Sequence, residues 1–328
     1  MSQLILNTIG DIDANVALVN DLDLIVGRDE VLVSIEAAPI NPVDFMLAAG
    51  TYGYQAQVPF ALGSEGVGRV VEAGASVDAS LVGRRVLIVP NYEQGTWSDQ
   101  VVVAARNVVP VTDDGDPLQL AMVGINPLTA HLALTRYVDL KPGDWVGQNL
   151  GNSGVGQYVI ALARHAGLKT LSVVRREEAA EKLRAAGADL VLVDGNDLGG
   201  RIAAALGENK LRLVLDGTGD ATAGALAQAA EFEGTVVSYS SVTGQPVQVG
   251  LGDSIYRQLS LRGLWIVNWL QNASREELEK TYVELAELAA KAVVRADVEA
   301  TYPLTDFRKA FEHARQQGRT GKVLFKQQ

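Results

Sequence analysis

The sequence contains no cysteine, and this absence limits the chemistry open to the chain. Without a thiol, the protein has no disulfide bonds, no thiolate nucleophile and no zinc site with a cysteine ligand. Histidine is scarce as well, because only His131, His165 and His313 occur, and their wide separation in the sequence gives no metal-binding motif. We therefore expect a protein without a metal site.

The sequence also lacks an excess of positive over negative charge, and it lacks long apolar runs. The formal net charge is −11, so the chain has no basic surplus with which to neutralise the phosphates of a nucleic acid. No apolar run approaches the length that spans a membrane, and the first residues lack the basic and apolar segments of a signal peptide. We expect a cytoplasmic protein that binds neither nucleic acid nor membrane, and whose 328 residues form two domains.

Glycine, by contrast, is frequent, with 33 residues, and three glycines stand where a strand gives way to a helix. Gly151, Gly154 and Gly156 follow a predicted strand at 145–149 and precede a predicted helix at 155–166. Backbone N–H groups at the start of a helix bind anions, and residues without a β-carbon let a pyrophosphate come close. We interpret the spacing G-x-x-G-x-G as a variant of the dinucleotide-binding turn, the alternative being a turn without a ligand.

The order of predicted elements divides the chain. Up to about residue 120 short apolar runs predict mostly strands, whereas strands and helices alternate from there to about residue 262, which predicts a parallel sheet with helices on both faces. Near residue 263 this pattern ends, and Ser274-Arg-Glu-Glu277 has the form of a capping box that opens a further helix. We predict an α/β protein in which residues 121–262 are inserted into a domain of residues 1–120 and 263–328. The predicted segments include strands at 169–174, 190–193, 211–215, 235–239 and 322–326 and helices at 177–186 and 307–315.

Two arginines follow the second strand of the alternating segment. That strand ends at Val174, where folds that select NAD carry an acidic residue for the ribose hydroxyl. Here Arg175 and Arg176 stand at that end, and a guanidinium group binds a phosphate through two N–H groups. This favours NADPH, whose ribose carries a 2′-phosphate. The alternative is an exposed charge cluster in which the arginines pair with Glu177 and Glu178.

Motifs spread over nearly the whole chain resemble those of the medium-chain dehydrogenase/reductase superfamily: Asn41-Pro-Val-Asp44, Gly63-Ser-Glu-Gly-Val-Gly68, the glycine turn and Gly321-Lys-Val-Leu324. The resemblance implies a GroES-like, partly open β-barrel catalytic domain and a doubly wound Rossmann domain that binds NADP. Alcohol dehydrogenases of that superfamily hold a catalytic zinc through a cysteine near the first motif and a histidine in Gly-His-Glu. This sequence has Asn41 and Ser64 in the corresponding stretches, so the resemblance is to the zinc-free reductases.

Further strings are similar to those of the mitochondrial-type 2-enoyl thioester reductases, among them Gly50-Thr-Tyr-Gly53, Gly95-Thr-Trp97, Asn126-Pro-Leu-Thr-Ala130 and Asn152-Ser-Gly-Val-Gly-Gln157. This resemblance implies NADPH-dependent reduction of the conjugated C=C bond of an enoyl-CoA or enoyl-ACP, with hydride transfer to the β-carbon and protonation of the α-carbon. Two alternatives stay open. One is an NADPH-dependent quinone, small enone or alkenal reductase, and the other is an NADPH-binding protein without turnover.

The same resemblance implies roles for individual residues. Tyr52 would be the proton donor or orienter, Asn41 would face the nicotinamide ribose, and Thr129 would bind the nicotinamide carboxamide. The alternatives are a packing role for Tyr52 with its hydroxyl in water, an Asx turn at Asn41, and a hydrogen bond of Thr129 to its own helix. The predicted cofactor-binding residues are Asn149, Asn152, Ser153, Gly154, Val155, Gly156, Arg175, Arg176, Tyr239 and Lys322.

Two tryptophans and one further strand complete the expectations. Trp97 and Trp265 are candidates for the flat apolar walls of an acyl pocket, and a position in the core is the alternative for both. Residues 259–264 have the pattern of an edge strand, and in relatives such a strand pairs with its copy across a two-fold axis. We therefore expect a homodimer.

Overall fold

The structure, a computed structural model, describes residues 1–90, 92–93 and 95–327. These residues form two compact units, one of residues 1–125 and 267–328 and the other of residues 126–266. We call the first the split unit and the second the inserted unit. The sequence predicts a division after residues 120 and 262, and the units of the structure divide after residues 125 and 266.

Sixteen strands lie in the described part of the chain. They are β1 (Gln3–Leu6), β2 (Val16–Val19), β3 (Glu30–Pro39), β4 (Phe60–Ala61), β5 (Gly66–Ala73), β6 (Arg85–Ile88), β7 (Gln100–Ala104), β8 (Val108–Pro110), β9 (Trp145–Gln148), β10 (Lys169–Val174), β11 (Leu190–Val193), β12 (Leu211–Asp216), β13 (Ala230–Ser238), β14 (Ser260–Gly263), β15 (Val298–Tyr302) and β16 (Lys322–Lys326).

Twelve α-helices connect these strands within the same described ranges, and none of them is long and apolar enough to cross a membrane. They are α1 (Ile12–Asn15), α2 (Pro42–Ala49), α3 (Pro117–Ala121), α4 (Asn126–Thr135), α5 (Gly154–His165), α6 (Glu177–Ala185), α7 (Leu198–Leu206), α8 (Ala221–Ala227), α9 (Leu251–Tyr256), α10 (Ile266–Asn272), α11 (Arg275–Ala290) and α12 (Phe307–Arg315). Short 3₁₀ turns occur at Ala79–Leu81, Ala105–Asn107 and Leu304–Asp306.

The six strands of the inserted unit form one parallel sheet in the order β11-β10-β9-β12-β13-β14. Neighbouring residues of β10 contribute to different cores. Val173 packs with residues of α7 and α8, and Val174 packs with residues of α5 and α6. Helices therefore cover both faces of the sheet, as predicted for a doubly wound fold. The strand order reverses between β9 and β12, which is where sheets of this kind bind their ligands.

Asn149, directly after β9, ties the two central strands of this sheet together. Its side-chain oxygen accepts hydrogen bonds from the N–H groups of Gly217 at 2.7 Å and Thr218 at 3.3 Å. Its nitrogen lies 2.7 Å from a carboxylate oxygen of Asp216, and the residue is 1% exposed. An amide engaged in this way has no polar atom left for a cofactor. The predicted cofactor contact of Asn149 is therefore corrected to a structural tie between β9 and β12.

A mixed sheet forms the body of the split unit, in the order β15-β16-β3-β5-β6-β8, with β7 also paired to β3. β15 and β16 run parallel, and the other pairs are antiparallel. β3, with ten residues, pairs with β7 in its first half, with β5 along most of its length and with β16 at its end. β3 is thus the central strand of the split unit. A smaller sheet has the order β2-β1-β4.

Trp97 belongs to an aromatic core between this sheet and α12. The residue is 0% exposed, and its ring centroid lies 5.2 Å from that of Phe311 in α12 and 5.3 Å from that of Phe325 in β16. The indole N–H donates to the backbone oxygen of Pro39 at 3.1 Å. A side chain without exposed surface cannot line a substrate pocket. The prediction of a pocket wall at Trp97 is therefore wrong, and the alternative, a core residue, is correct.

The role of Asn149 leads to a stability prediction. Asn149→Ala should lower the free energy of unfolding by about 2–3 kcal/mol, because it leaves the N–H groups of Gly217 and Thr218 without their acceptor. Urea unfolding of the protein without any ligand measures this value. Asn152→Ala is the matched control, since Asn152 is exposed only a few residues further along. Equal stabilities of the two variants would contradict the structural role.

Candidate active site

The turn between β9 and α5 carries the glycines that predict a dinucleotide site, together with Asn152 and Val155. The hydroxyl of Ser153 accepts a hydrogen bond from the N–H of Gly156 at 3.0 Å and so caps α5. A β-carbon on Gly156 would lie 2.5 Å from the backbone oxygen of Gly151, so the helix approaches the turn this closely only with glycine. The N–H groups of Gly154 and Val155, which precede the capped one in this 12-residue helix, have no partner within its first turn and can face an anion.

Tyr239, which follows β13, adds a hydroxyl to this turn. The hydroxyl is buried and has no hydrogen-bond partner of normal geometry among the described residues. Burial raises the pKa of Tyr239, and the hydroxyl of Ser153 lies near enough to oppose part of that rise. A buried hydroxyl without a partner costs stability unless a ligand supplies one. Tyr239 and Ser153 therefore fit a phosphate or ribose bound at this end of the sheet.

Arg175 and Arg176 lie exposed at the carboxyl end of β10. The two acidic residues that could pair with them have other partners in α6. Glu177 binds Arg184 at 2.6 Å, and Glu178 binds Lys182 at 3.3 Å. Within the ranges that the structure describes, neither Arg175 nor Arg176 makes an ion pair. The alternative in which these arginines pair with Glu177 and Glu178 is therefore wrong, and both guanidinium groups are available to an anion.

Tyr52 lies next to a second tyrosine that the sequence does not single out. The hydroxyls of Tyr52 and Tyr92 are 3.3 Å apart, and the ring of Tyr54 stacks on Tyr92 with centroids 5.4 Å apart. Tyr92 is buried, and burial together with the Tyr52 hydroxyl raises its pKa, so Tyr92 stays protonated. Tyr54 and Tyr92 also line a cavity of about 570 Å³. The structure thus gives the predicted proton donor a protonated hydrogen-bond partner.

Asn41 and Lys322, which are far apart in the sequence, meet in the split unit. The Lys322 ammonium donates to Asn41 Oδ1 at 2.7 Å, and Asn41 Nδ2 donates to Glu65 Oε1 at 2.7 Å. Asn41 is buried just before α2, where its backbone N–H donates to Asp44 at 2.8 Å. The structure therefore joins two predicted site residues through direct contact, and it adds Glu65 and Asp44, which the sequence reasoning missed.

The two carboxylates beside Asn41 are fully buried, and each has further donors. Ser64 Oγ donates to Asp44 at 2.6 Å, and the N–H of Ile125 donates to Glu65 Oε2 at 2.8 Å. Burial raises the pKa of Asp44 to about 6 and also raises the pKa of Glu65, against the attraction of the Lys322 charge. Burial lowers the pKa of Lys322, which Glu65 opposes. The three charges therefore depend on one another.

Asn41 and Ser64 stand in the stretches where alcohol dehydrogenases of the superfamily carry zinc ligands. Here both side chains bind carboxylates of the chain itself. Residues 1–90, 92–93 and 95–327 contain no group of three or more histidines, aspartates or glutamates that could hold a metal ion. Asn41 and Ser64 thus belong to a hydrogen-bonded network with the two carboxylates.

Thr129 and Trp265 lie in the inserted unit, whereas Tyr52, Asn41 and Lys322 lie in the split unit. Thr129 is buried in the first half of α4. Trp265 follows β14 and is 43% exposed, so unlike Trp97 it has surface to offer a ligand or a partner. The nicotinamide contact of Thr129 and the pocket wall at Trp265 stay predictions.

Known proteins resemble the chain in both units. Residues 27–113 match the alcohol dehydrogenase GroES-like domain, and residues 154–287 match the family described as zinc-binding dehydrogenase. The mitochondrial enoyl-[acyl-carrier-protein] reductase of Rattus norvegicus is 34% identical over 89% of this chain and 79% of its own length. The structure of Escherichia coli quinone oxidoreductase complexed with NADPH has a TM-score of 0.88 at 24% identity and covers 100% of both chains. A mutant form of enoyl thioester reductase from Candida tropicalis has a TM-score of 0.84 at 21% identity and covers 99% of both chains.

The two structural likenesses concern the fold alone. With the family matches, they confirm the predicted combination of a GroES-like domain and a Rossmann domain. The identity of 34% over most of both chains goes further, because it shows a shared family. The chain therefore belongs to the medium-chain dehydrogenase/reductase family, in the zinc-free branch that includes the mitochondrial enoyl-[acyl-carrier-protein] reductases.

Proposed function

We propose that this protein reduces the conjugated C=C bond of a 2-enoyl thioester, an enoyl-CoA or an enoyl-ACP, with NADPH as hydride donor. The observation that carries the proposal is the hydrogen-bonded pair Tyr52–Tyr92, a proton donor with a protonated partner beside a cavity. The name of the relative from Rattus norvegicus, an enoyl-[acyl-carrier-protein] reductase, supports the same substrate class.

NADPH fits the residues of the inserted unit. The capped start of α5 at Ser153 and Gly156 would hold the pyrophosphate, and Tyr239 offers it or the ribose a buried hydroxyl without a partner in the described chain. Arg175 and Arg176 would bind the 2′-phosphate. The cofactor supplies the hydride when bound, and the protein supplies binding and orientation. The complex of the Escherichia coli quinone oxidoreductase with NADPH supports the same choice of cofactor.

The tyrosine pair accounts for the proton. Once the β-carbon has received a hydride, the substrate is an enolate that needs a proton at its α-carbon. Tyr52 would donate that proton directly or through a water molecule, or would donate a hydrogen bond to the enolate oxygen. The Tyr92 hydroxyl orients the Tyr52 hydroxyl and stabilises it by a hydrogen bond as its proton leaves. Thr129 would bind the nicotinamide carboxamide of the cofactor.

The experiment that tests the function is NADPH oxidation, followed by absorbance, with crotonyl-CoA, a long-chain enoyl-CoA, a quinone and an alkenal. We expect the highest kcat/KM with an enoyl-CoA. Activity with the quinone or the alkenal and none with either thioester would replace the proposal by the quinone or enone reductase. NADPH binding without turnover of any of these compounds would favour the non-catalytic alternative.

Tyr52→Phe should lower kcat by about 10²–10⁴ if Tyr52 is the general acid, while leaving NADPH affinity within about twofold. Steady-state kinetics with the best thioester and a fluorescence titration with NADPH measure the two effects. Tyr256→Phe is the control, because Tyr256 is highly exposed and lies on α9 in the inserted unit. An unchanged kcat in Tyr52→Phe would refute the assignment.

The double variant Arg175→Ala/Arg176→Ala should raise the KM for NADPH about tenfold or more and leave the KM for NADH nearly unchanged, because only NADPH has the 2′-phosphate. Steady-state kinetics with NADPH and with NADH, measured in parallel, give the change in each KM. Lys210→Ala, which removes an exposed positive charge elsewhere in the inserted unit, controls for the loss of charge. Equal kcat/KM of the parent protein with both cofactors would already contradict the proposed preference.

A homodimer through β14 is the proposed assembly. β14 is the edge strand of the parallel sheet, all four of its residues are exposed, and Leu261 is 54% exposed. Leu261→Lys should convert dimers to monomers in analytical ultracentrifugation, because a charge would be buried at the two-fold axis. Val242→Lys, at another exposed apolar residue of the same unit, should leave the dimer intact. A monomeric parent protein at micromolar concentration would contradict this assembly.

A further inference from the structure

Tyr92 connects the predicted proton donor to a cavity in the split unit. Its hydroxyl lies 3.3 Å from the hydroxyl of Tyr52, and its ring stacks on that of Tyr54, with centroids 5.4 Å apart. Tyr54 and Tyr92 both belong to the wall of the cavity of about 570 Å³, and all the residues that line this cavity lie in the split unit. The cavity therefore begins within the length of one tyrosine side chain from the hydroxyl pair.

The backbone of Tyr92 is held in a conformation that bulky residues rarely adopt. Its φ is 58°, in the left-handed region, and the residue is only 3% exposed. Such a conformation costs free energy, and it persists where the surrounding contacts over-determine it, as they do at many ligand sites. In this conformation the hydroxyl meets Tyr52 while the ring packs on Tyr54. The strained residue is thus the one that belongs both to the hydroxyl pair and to the cavity wall.

The opposite side of the cavity is apolar. Ile5 of β1 and Ala61 of β4 lie directly opposite each other in the antiparallel pair of these strands, and Pro59 and Phe60 precede Ala61 in the wall. Ile5 and Ala61 are half-buried, so both keep surface that a ligand can cover. Open apolar surface beside a polar group is typical of sites that bind a hydrocarbon chain carrying one reactive end.

Charge favours the hydrocarbon end of a thioester in this cavity over its phosphate end. Among the described residues that line the cavity, none is a lysine or an arginine. The charged residue of the wall is Glu93, whose carboxylate binds Arg106 at 3.1 Å. The phosphates of coenzyme A, or of the pantetheine arm of a carrier protein, would meet no cation of the wall. A methylene chain needs none, because it gains free energy by leaving water.

We propose that this cavity is an acyl subsite, which takes the hydrocarbon tail of the substrate beyond its β-carbon. The inference rests on the proposed function, since it takes the α-carbon to lie at Tyr52. The cavity has the volume of about 19 water molecules, at about 30 Å³ each. A methylene group has about the size of a water molecule, so the cavity accommodates a tail of about eight carbons. The protein therefore prefers medium-length acyl chains to short ones.

A series of 2-enoyl-CoA substrates with four to ten carbons tests the preference. The kcat/KM of the parent protein should rise about twofold or more with each added methylene group, because each one leaves water for an apolar wall. Equal kcat/KM along the series would overturn the inference.

Ala61→Phe fills the cavity from its wall. It should lower kcat/KM for 2-decenoyl-CoA about tenfold or more and leave kcat/KM for crotonyl-CoA within about twofold, because the short substrate does not reach the cavity. Ala75→Phe adds the same ring at an exposed alanine of the split unit and should act like the parent. Unchanged values with both substrates, or equal losses with both, would contradict an acyl subsite.

Ile5→Ala changes the cavity in the other direction. It widens the wall opposite Ala61, so the rise of kcat/KM should continue to chains about two carbons longer than in the parent. Ile25→Ala is the matched control, because Ile25 is 79% exposed in the same unit. A chain-length profile of Ile5→Ala identical to that of the parent would contradict the inference even if Ala61→Phe failed to fold.

Two aldehydes separate the inference from the proposed function. But-2-enal and 2-decenal carry a short and a long tail without a thioester. If the enoyl-CoA substrates are reduced and the chain-length effects are absent, the inference alone fails. If only the alkenals are reduced, the proposed function fails, and a preference for 2-decenal that Ala61→Phe abolishes still supports the hydrocarbon subsite. Turnover of a quinone alone would contradict both.

Discussion

The inserted unit depends on one buried carboxylate, that of Asp216 at the end of β12. It accepts hydrogen bonds from the Asn149 amide at 2.7 Å, from the N–H of Gly219 at 3.1 Å and from the Ser238 hydroxyl at 2.8 Å. These donors follow β9, follow β12 and end β13, so the ends of three strands share one acceptor group. A buried carboxylate tolerates no missing donor, and the three ends are therefore fixed together. Since Asn149 also starts the glycine turn, the position of the helix α5 follows from the same constraint.

The split unit has two distinct buried regions, an aromatic core and a charged network. Trp97, Phe311 and Phe325 pack between the sheet and α12, and the same strand that carries Phe325 begins with Lys322, whose ammonium reaches Asn41. β16 thus contributes to the aromatic core through one residue and to the charged network through another. Phe325 is fixed by the pairing of β16 with β3, and Lys322 is fixed by the pairing of β16 with β15, so one strand positions both the aromatic ring and the ammonium.

Much of the fold could be predicted because periodicity and glycine leave local signals. The strands at 169–174, 190–193 and 322–326 and the helix at 307–315 have the predicted bounds. The glycine turn could be predicted because two backbone segments come so close together there that only glycine fits, as at Gly156. The roles of Asn149 and Trp97 could not be predicted, because the identity of a residue does not tell whether its side chain contacts a ligand or other residues of the protein. Tyr92 and Glu65 were missed because their partners Tyr52 and Asn41 are 40 and 24 residues away, and only the folded chain brings them together.

The polar network explains how this chain can lack zinc ligands and keep buried carboxylates. Asn41 and Ser64 occupy the stretches in which alcohol dehydrogenases carry a cysteine and a histidine, and Asp44 and Glu65 remain buried beside them. Buried carboxylates require a positive charge or a proton. Here the positive charge is the ammonium of Lys322, which is covalently part of the chain and engaged with Asn41. An ammonium balances charge, but it has no empty coordination position with which to polarise a substrate oxygen. In the proposed reaction the stabilisation of an enolate would therefore come from a hydrogen-bond donor, and the hydroxyl pair of Tyr52 and Tyr92 in the split unit is the donor that we propose.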